Sequence, residues 1–335
     1  MKNNIMKFSL ILPTYKVEKY ITACLESCCN QTNISSSDYE IIIVNDETPD
    51  NSLSVAQEVI KRYPNHNWKI VNRKNGGLSA ARNSGIVEAN GDYLWFIDSD
   101  DYIETNALSV LSEAANKGDF DIVNFTHKTV YKNNRVVGGK DKFNGYASTG
   151  VDYLSKHGFL SAGTCIYKRE FIDRNHLKFK EGVIWEDSEF NTRAYMLTDN
   201  CYCISDALYY YIRREDSISD LKATPFSTQS RISNVYGLHQ YFQTKKLSKQ
   251  ELGVAYSEIA SILVGAIAGL PELTEKDRKY FRNEIRKNRS QYTRIMWTCG
   301  NVKSKLILLS FWLFPIYSEQ LLNKKMHEAI ERFTK

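Results

Sequence analysis

From residue 8 onward, short apolar runs alternate with longer stretches of helical period. FSLILP (8–13), EIIIVN (40–45), KIVNR (69–73) and YLWFI (93–97) are compact apolar segments, and each predicts a strand. VEKYITACLESCC, SLSVAQEVIKRY, LSAARNSGIVEA and ALSVLSEAANKG follow them in turn, with apolar positions three and four apart, and predict helices. Strands that are continuously apolar, rather than alternating, belong in a sheet covered on both faces, so the pattern predicts a mainly parallel α/β sheet. DIVNFTHKTVYKNNRVVGG (121–139) predicts further strands with a hairpin, and TCIYKREFI a strand entering a helix. From about residue 226 the alternation stops. RISNVYGLHQYFQTKK, SEIASILVGAIAGL and EKDRKYFRNEIRKNRSQYTRI read as helices, which divides the chain into an α/β region, 1–225, and a helical region, 226–335.

Charge follows the same division. Residues 1–225 hold 26 Lys and Arg against 30 Asp and Glu, whereas residues 226–335 hold 18 against 9. An acidic and a basic part in one chain point to different partners for each. The seven cysteines form no CxxC pair, and MKNNIMKFSLILPTY carries no leader with a cleavage site; both lead us to expect a reducing, cytoplasmic setting. Cys24, Cys28 and Cys29 fall on a helical pattern and are expected to be buried thiols acting as small hydrophobes.

The chemistry concentrates where predicted strands end. In an α/β sheet, ligands bind beyond the carboxyl ends of the strands. That puts the turns at Pro13–Tyr15, at Asp46 and at Asp98–Asp101 on one rim. YLWFIDSDDYI (93–103) runs from an apolar strand into three carboxylates within four positions. Such a cluster is costly unless a cation neutralises it, and hard oxygen ligands suit Mg²⁺ or Mn²⁺. The bland alternative is an acidic turn leading a helix. A phosphatase-type DxD is a second one, although such a motif normally ends the first strand and here ends the fourth.

Taken in order, the motifs resemble the family-2 glycosyltransferases of the GT-A fold, over roughly residues 8 to 220. They are P-T-Y at 13–15, N-D-E-T at 45–48, N-x-G-L-S-x-A-R-N-x-G at 75–85, G-D-Y at 91–93 and D-S-D-D at 98–101. E-D-x-x-F at 186–190 and Y-Y-Y-I-R-R-E-D-S-I-S at 209–219 continue the series. The resemblance implies a Rossmann-like, mainly parallel sheet that binds a nucleotide-sugar donor. It implies that Pro13, Thr14 and Tyr15 line the nucleotide pocket and that Asp46 accepts a hydrogen bond from the base. Arg82 would meet the base or the diphosphate. Asp98 and Asp100 would hold the metal, with Asp98 also at the ribose, and Asp101 would help or simply cap the helix. Arg213 or Arg214 would reach the diphosphate through paired donors, unless they pair with Glu215 or Asp216. Glu47-Thr48 stands where most relatives have Gly-Ser.

GVIWEDSEFNTRAY (182–195) would carry the transfer step. Inverting sugar transfer needs one general base for the acceptor hydroxyl, while the leaving diphosphate needs positive charge rather than a proton. By resemblance Asp187 is that base and Glu186 an acceptor contact. Trp185 would stack on a sugar ring, and Arg193 has the spacing to pair with Glu189. The alternative is that these carboxylates only form the acidic first turn of a helix. No GxGxxG opens a βαβ unit, which argues against a dinucleotide enzyme. The six histidines show no metal-ligand spacing.

In the basic region, EKDRKYFRNEIRKNRSQYTR (275–294) holds eight Lys and Arg. LILLSFWLFPIY (306–317) follows, flanked by Lys303, Lys305, Lys324 and Lys325. At twelve residues it is short of the ~20 that a spanning helix needs. Apolar and aromatic residues between lysines suit a segment at 303–325 lying on an anionic membrane surface; an ordinary packed helix is the alternative. No nucleic-acid fold signature accompanies the charge, and no nucleic-acid partner is expected. The expectation is therefore an inverting, metal-dependent hexosyl- or N-acetylhexosaminyl-transferase at the inner membrane face. It would use a UDP-sugar and a glycan or lipid-linked acceptor in surface-polysaccharide synthesis. A metal-dependent phosphohydrolase and a catalytically silent nucleotide-binding scaffold are the rivals.

Overall fold

The computed structural model describes residues 7–132, 135–138, 145–158, 161–214 and 222–334, with the backbone alone at 326–327 and 329–334. The chain folds into two compact units that interleave along the sequence. One comprises residues 1–150, 160–181 and 197–214, and the other residues 151–159, 182–196 and 215–335.

The first unit holds one mixed sheet. Its strands are β1 (Phe8–Thr14), β2 (Tyr39–Asn45), β3 (Asn67–Asn72), β4 (Tyr93–Phe96), β5 (Tyr102–Ile103), β6 (Ile122–Val130), β7 (Val136–Gly138), β8 (Tyr146–Ser148), β9 (Cys165–Lys168) and β10 (Cys201–Ile212). They lie in the order β3-β2-β1-β4-β9-β6-β10-β5, with β7 on β6 and β8 on β10. The apolar runs explain the centre. Every residue of β1 and of β4 is buried, whereas β3, at the edge, is only partly covered. The pairs β1–β2, β2–β3, β1–β4 and β6–β10 are parallel, and β9 joins β4 to β6 in antiparallel register. The chain leaves β1 towards β2 on one side and returns to β4 on the other. A crevice opens at such a reversal.

Helices α1 (Ile21–Cys29), α2 (Ser52–Arg62), α3 (Leu78–Glu88) and α4 (Ala107–Ala115) follow the first strands as their periods predict. Cys24, Cys28 and Cys29 are buried in the core with free thiols. On α3, a Cβ at Gly85 would come within 2.3 Å of the Ile11 side chain, so only glycine lets the helix lie this close to β1. Next along the chain, α5 (Gly150–His157) enters the second unit; α6 (Arg169–Arg174) belongs to the first and α7 (Glu186–Tyr195) to the second.

The second unit is completed by α8 (Pro225–Gln243), α9 (Lys249–Gly269), α10 (Glu275–Lys287), α11 (Arg289–Thr298), α12 (Val302–Leu313) and α13 (Pro315–Thr334). Capping boxes at Thr224/Ser227 and Ser248/Glu251 start α8 and α9. The single helical period read across 275–295 is two helices, broken at Asn288, whose side chain donates to the Glu284 carbonyl. Likewise 306–317 is not one segment, because Pro315 ends α12 and supplies the first residue of α13. The stretch Lys249–Glu272 is long and apolar enough to cross a membrane. However, 61% of its most apolar window is buried in the protein, as a core helix would be.

Candidate active site

The rim of the first unit is built from the ends of β1, β2 and β4. Beyond β4, the Asp98 carbonyl accepts the Asp101 N–H (2.9 Å), closing a turn. Ser99 inside it donates its hydroxyl to the Pro13 carbonyl (2.7 Å) and lies 3.3 Å from the Thr14 hydroxyl. The acidic turn and the end of β1 are thereby locked together. Pro13 and Thr14 are buried and joined to the turn through Ser99, whereas Tyr15 is exposed.

The three carboxylates of the turn divide in two. Asp101 points inward and is buried, accepting the Tyr209 hydroxyl (2.7 Å) and the Ile212 N–H (2.7 Å). Tyr209 also accepts the Asp98 N–H (3.2 Å), so β10 is pinned to the turn. Burial, and then the charge of Asp98, push the Asp101 carboxyl well above the usual range. Asp101 therefore holds the turn to β10. Asp98 and Asp100 keep exposed edges. Asp98 accepts from Arg82 on α3 (2.7 Å), a buried arginine whose guanidinium also lies over the Phe179 ring. Asp100 pairs with Arg214, which stacks over Tyr20. The Arg213 guanidinium lies over the Tyr131 ring, whereas Arg214 reaches the acidic turn. Glu215 and Asp216 lie outside the described residues.

Asp46 follows β2 and is buried. Its carboxylate accepts the N–H groups of Gly76 (3.1 Å) and Gly77 (2.8 Å) and pairs with Arg73. Gly77 sits at φ 82° and opens α3, so Asp46 fixes the turn that presents Arg82. Arg73 was not singled out by sequence; it follows β3 and carries no motif of its own. At Glu47 the backbone adopts φ 55°, a conformation that glycine takes without strain. The Glu47 carboxylate accepts the Asn75 N–H (3.1 Å), and Thr48 accepts the Lys16 N–H (2.8 Å). Side-chain bonds thus hold the Glu47-Thr48 turn in the shape that Gly-Ser would take freely.

In the second unit, Glu186, Asp187 and Glu189 form the first turn of α7, where the helix dipole favours negative charge. Glu186 is buried and Asp187 partly exposed, its Oδ1 accepting the Ser188 N–H (2.8 Å). Glu189 is taken up by Arg193 in a two-bonded pair (2.7 Å each) one turn along, which leaves Arg193 a structural part. Trp185, at φ 62°, precedes the helix, and its indole is covered on one face by the guanidinium of Arg231 from α8 (4.1 Å). Asn234 donates to the Trp185 carbonyl (3.0 Å) and fixes that backbone. Burial lowers the Arg231 guanidinium to about 10, against the opposing charge of Asp187. Arg231 was not visible in sequence, where RISNVY reads only as helix.

For a divalent cation, the rim offers two hard carboxylates, Asp98 and Asp100. No group of three potential ligands occurs among the described residues. That donor set fits an ion completed by phosphate oxygens of a bound nucleotide, in the manner usual for Mg²⁺, better than an all-protein cage.

The inward role of Asp101 has a pH signature. Because its folded-state value is raised, this carboxyl contributes stability that is fully present below ~pH 4 and is lost as pH rises through the raised value. Asp101→Asn removes the titration. Urea unfolding across pH 4–8 should therefore show the variant improving relative to the native chain as pH rises. A difference that stays constant would mean that Asp101 is not perturbed by its site.

The sheet order and an acidic turn ending β4 match the GT-A fold. TarS 1–349 of S. aureus, solved in complex with UDP-GlcNAc, has the same fold, with TM-score 0.75 at 22% identity over 97% of this chain and 92% of that one. Residues 9–175 match the model of glycosyl transferase family 2, and the chain belongs to that family. Among curated relatives, the uncharacterized glycosyltransferase EpsJ of Bacillus subtilis strain 168 is 32% identical over 225 residues, 65% of this chain and 64% of that one. The poly(ribitol-phosphate) beta-glucosyltransferase of Bacillus spizizenii is 33% identical over 215 residues, 63% of this chain but only 33% of its own length. The chain thus matches less than two thirds of either relative.

Proposed function

We propose that the protein is an inverting, metal-dependent glycosyltransferase. It would move a hexose or N-acetylhexosamine from a UDP-sugar to a polyol-phosphate, glycan or lipid-linked acceptor at the inner membrane face. The observation that carries this reading is the rim at the end of β4, where Asp98 and Asp100 keep exposed edges and pair with Arg82 and Arg214. Carboxylates for a cation and guanidinium groups for phosphate are the two things a nucleoside diphosphate requires. The UDP-GlcNAc complex of TarS and the beta-glucosyl product named for the Bacillus spizizenii relative support the donor class and inversion.

In the reaction, the acceptor hydroxyl oxygen attacks the anomeric carbon on the face opposite the diphosphate. The new C–O bond forms as the bond to the diphosphate oxygen breaks, and the diphosphate leaves with the bonding pair. The hydroxyl proton passes to the Asp187 carboxylate. Mg²⁺ or Mn²⁺ held by Asp98 and Asp100 would supply the charge that stabilises the departing diphosphate. Arg82 and Arg214 bind phosphate oxygens, and Asp46 holds the Asn75–Gly77 turn that sets Arg82. Arg231, stacked against Trp185, keeps positive charge near Asp187.

Incubation of the chain with Mn²⁺ and a panel of UDP- and GDP-sugars tests this directly. Acceptor-stimulated release of UDP from a UDP-sugar is the expected result. Release of inorganic phosphate from monoesters, with no sugar transfer, would favour a phosphohydrolase instead.

A further inference from the structure

The second unit presents a surface that the transfer chemistry does not use. On α12, Val302, Leu306, Leu309 and Leu313 recur at intervals of four, three and four, and so share one helix face. All four are exposed, Leu306 by 62%. The opposite face carries Leu308 and Phe311, which are buried. A helix that is apolar on both sides belongs either in a core or against lipid. The stripe continues at the α12–α13 corner, where Phe314, Ile316 and Tyr317 are exposed.

This corner is held in place rather than loosely attached. The Ser310 and Ser318 hydroxyls bond across it (2.7 Å), and Tyr292 donates to the Leu308 carbonyl (2.6 Å). Arg282 on α10 makes a two-bonded pair with the buried Glu319 of α13. The fold therefore keeps an apolar ridge in water, which single domains rarely do without a partner.

We propose that this ridge docks on an anionic lipid bilayer, with the α12 stripe and the Phe314–Tyr317 corner seated among the headgroups. Charge selects this occupant. Residues 302–318 contain no Asp or Glu, and Lys303 on α12 and Lys324 and Lys325 on α13 are exposed, Lys324 lying 3.9 Å from the Glu328 carboxylate. In a two-fold contact with a second copy, these lysines would meet their own kind, whereas anionic headgroups oppose them with negative charge. Arg278, Arg282 and Arg294 of the neighbouring basic run are engaged by internal partners, whereas Lys276, Lys279 and Arg286 are exposed and add to the positive charge of the unit. At twelve residues α12 is about 18 Å long, shorter than the ~30 Å hydrocarbon core, so it lies in the interface and does not span. The inference deepens the membrane-face part of the proposed function and is independent of donor binding at the first unit.

Sedimentation of the full chain with vesicles of phosphatidylcholine, with and without phosphatidylglycerol, tests it. The native chain should bind the anionic vesicles. Leu306→Ser and Leu313→Ser should each weaken that binding about tenfold. Lys303→Glu with Lys324→Glu should abolish the preference for phosphatidylglycerol. UDP binding should be unchanged in all of these variants, which separates failure of the ridge from failure of the donor site or of folding. If the native chain ignores anionic vesicles, or the serine variants bind as well as the native chain, the proposal is wrong. A dimer in light scattering that the serine variants dissolve would assign the ridge to a second copy and equally overturn it.

Discussion

Asp187→Asn should lower the rate of sugar transfer by about 10²–10⁴-fold while leaving UDP binding unaltered. The substitution keeps the size of the side chain and an oxygen able to accept the Ser188 N–H, so α7 should start as before. What it removes is the basic lone pair that takes the acceptor proton. Because the loss falls on a group used only as the hydroxyl is activated, kcat should fall and the KM for donor should hold. Single-turnover transfer with radiolabelled donor, beside calorimetric UDP affinity, measures both. A variant that transfers sugar at the native rate would remove Asp187 from the mechanism.

Asp100→Asn should have the complementary phenotype. It removes one of two open carboxylates at the end of β4 and should weaken metal-dependent donor binding by about 10²-fold or more. Arg214 would then lose its anionic partner beside Tyr20, so metal-independent UDP binding should survive or rise slightly as the guanidinium turns to phosphate. Chelation of the native chain should reproduce the variant, and added Mn²⁺ should rescue the native chain but not Asp100→Asn. Rescue of both would place the metal elsewhere.

Three of the first four strands were legible because their apolar runs are buried on both faces, as with FSLILP, whose every residue is covered, whereas the edge strand β3 is only partly covered. β10 was not legible. CYCISDALYYYI mixes polar and aromatic residues because it pairs with β6, β8 and β5, and its Tyr209 serves the acidic turn rather than the core alone. Helix ends in the basic region were misread for a local reason, since Asn288 and Pro315 break periods that remain apolar on either side. At the candidate site, motif order singled out Asp98, Asp100 and Asp187. It could not divide the turn's labour, because the inward rotation of Asp101 depends on Tyr209 and Ile212, more than a hundred residues away. Nor could it choose between Arg213 and Arg214, whose alternation along the chain after β10 sends one over Tyr131 and the other to Asp100. Arg73 and Arg231 were invisible for the same reason: each acts by facing a partner that only folding supplies.

Titration calorimetry of UDP into the native chain and into Asp100→Asn, with and without Mn²⁺, tests the central claim most directly. Binding that tightens with Mn²⁺ in the native chain and loses that dependence in the variant is the expected result. UDP binding that is absent under every condition, or equally metal-dependent in Asp100→Asn, would contradict the assignment of the donor site to the turn at Asp98–Asp101.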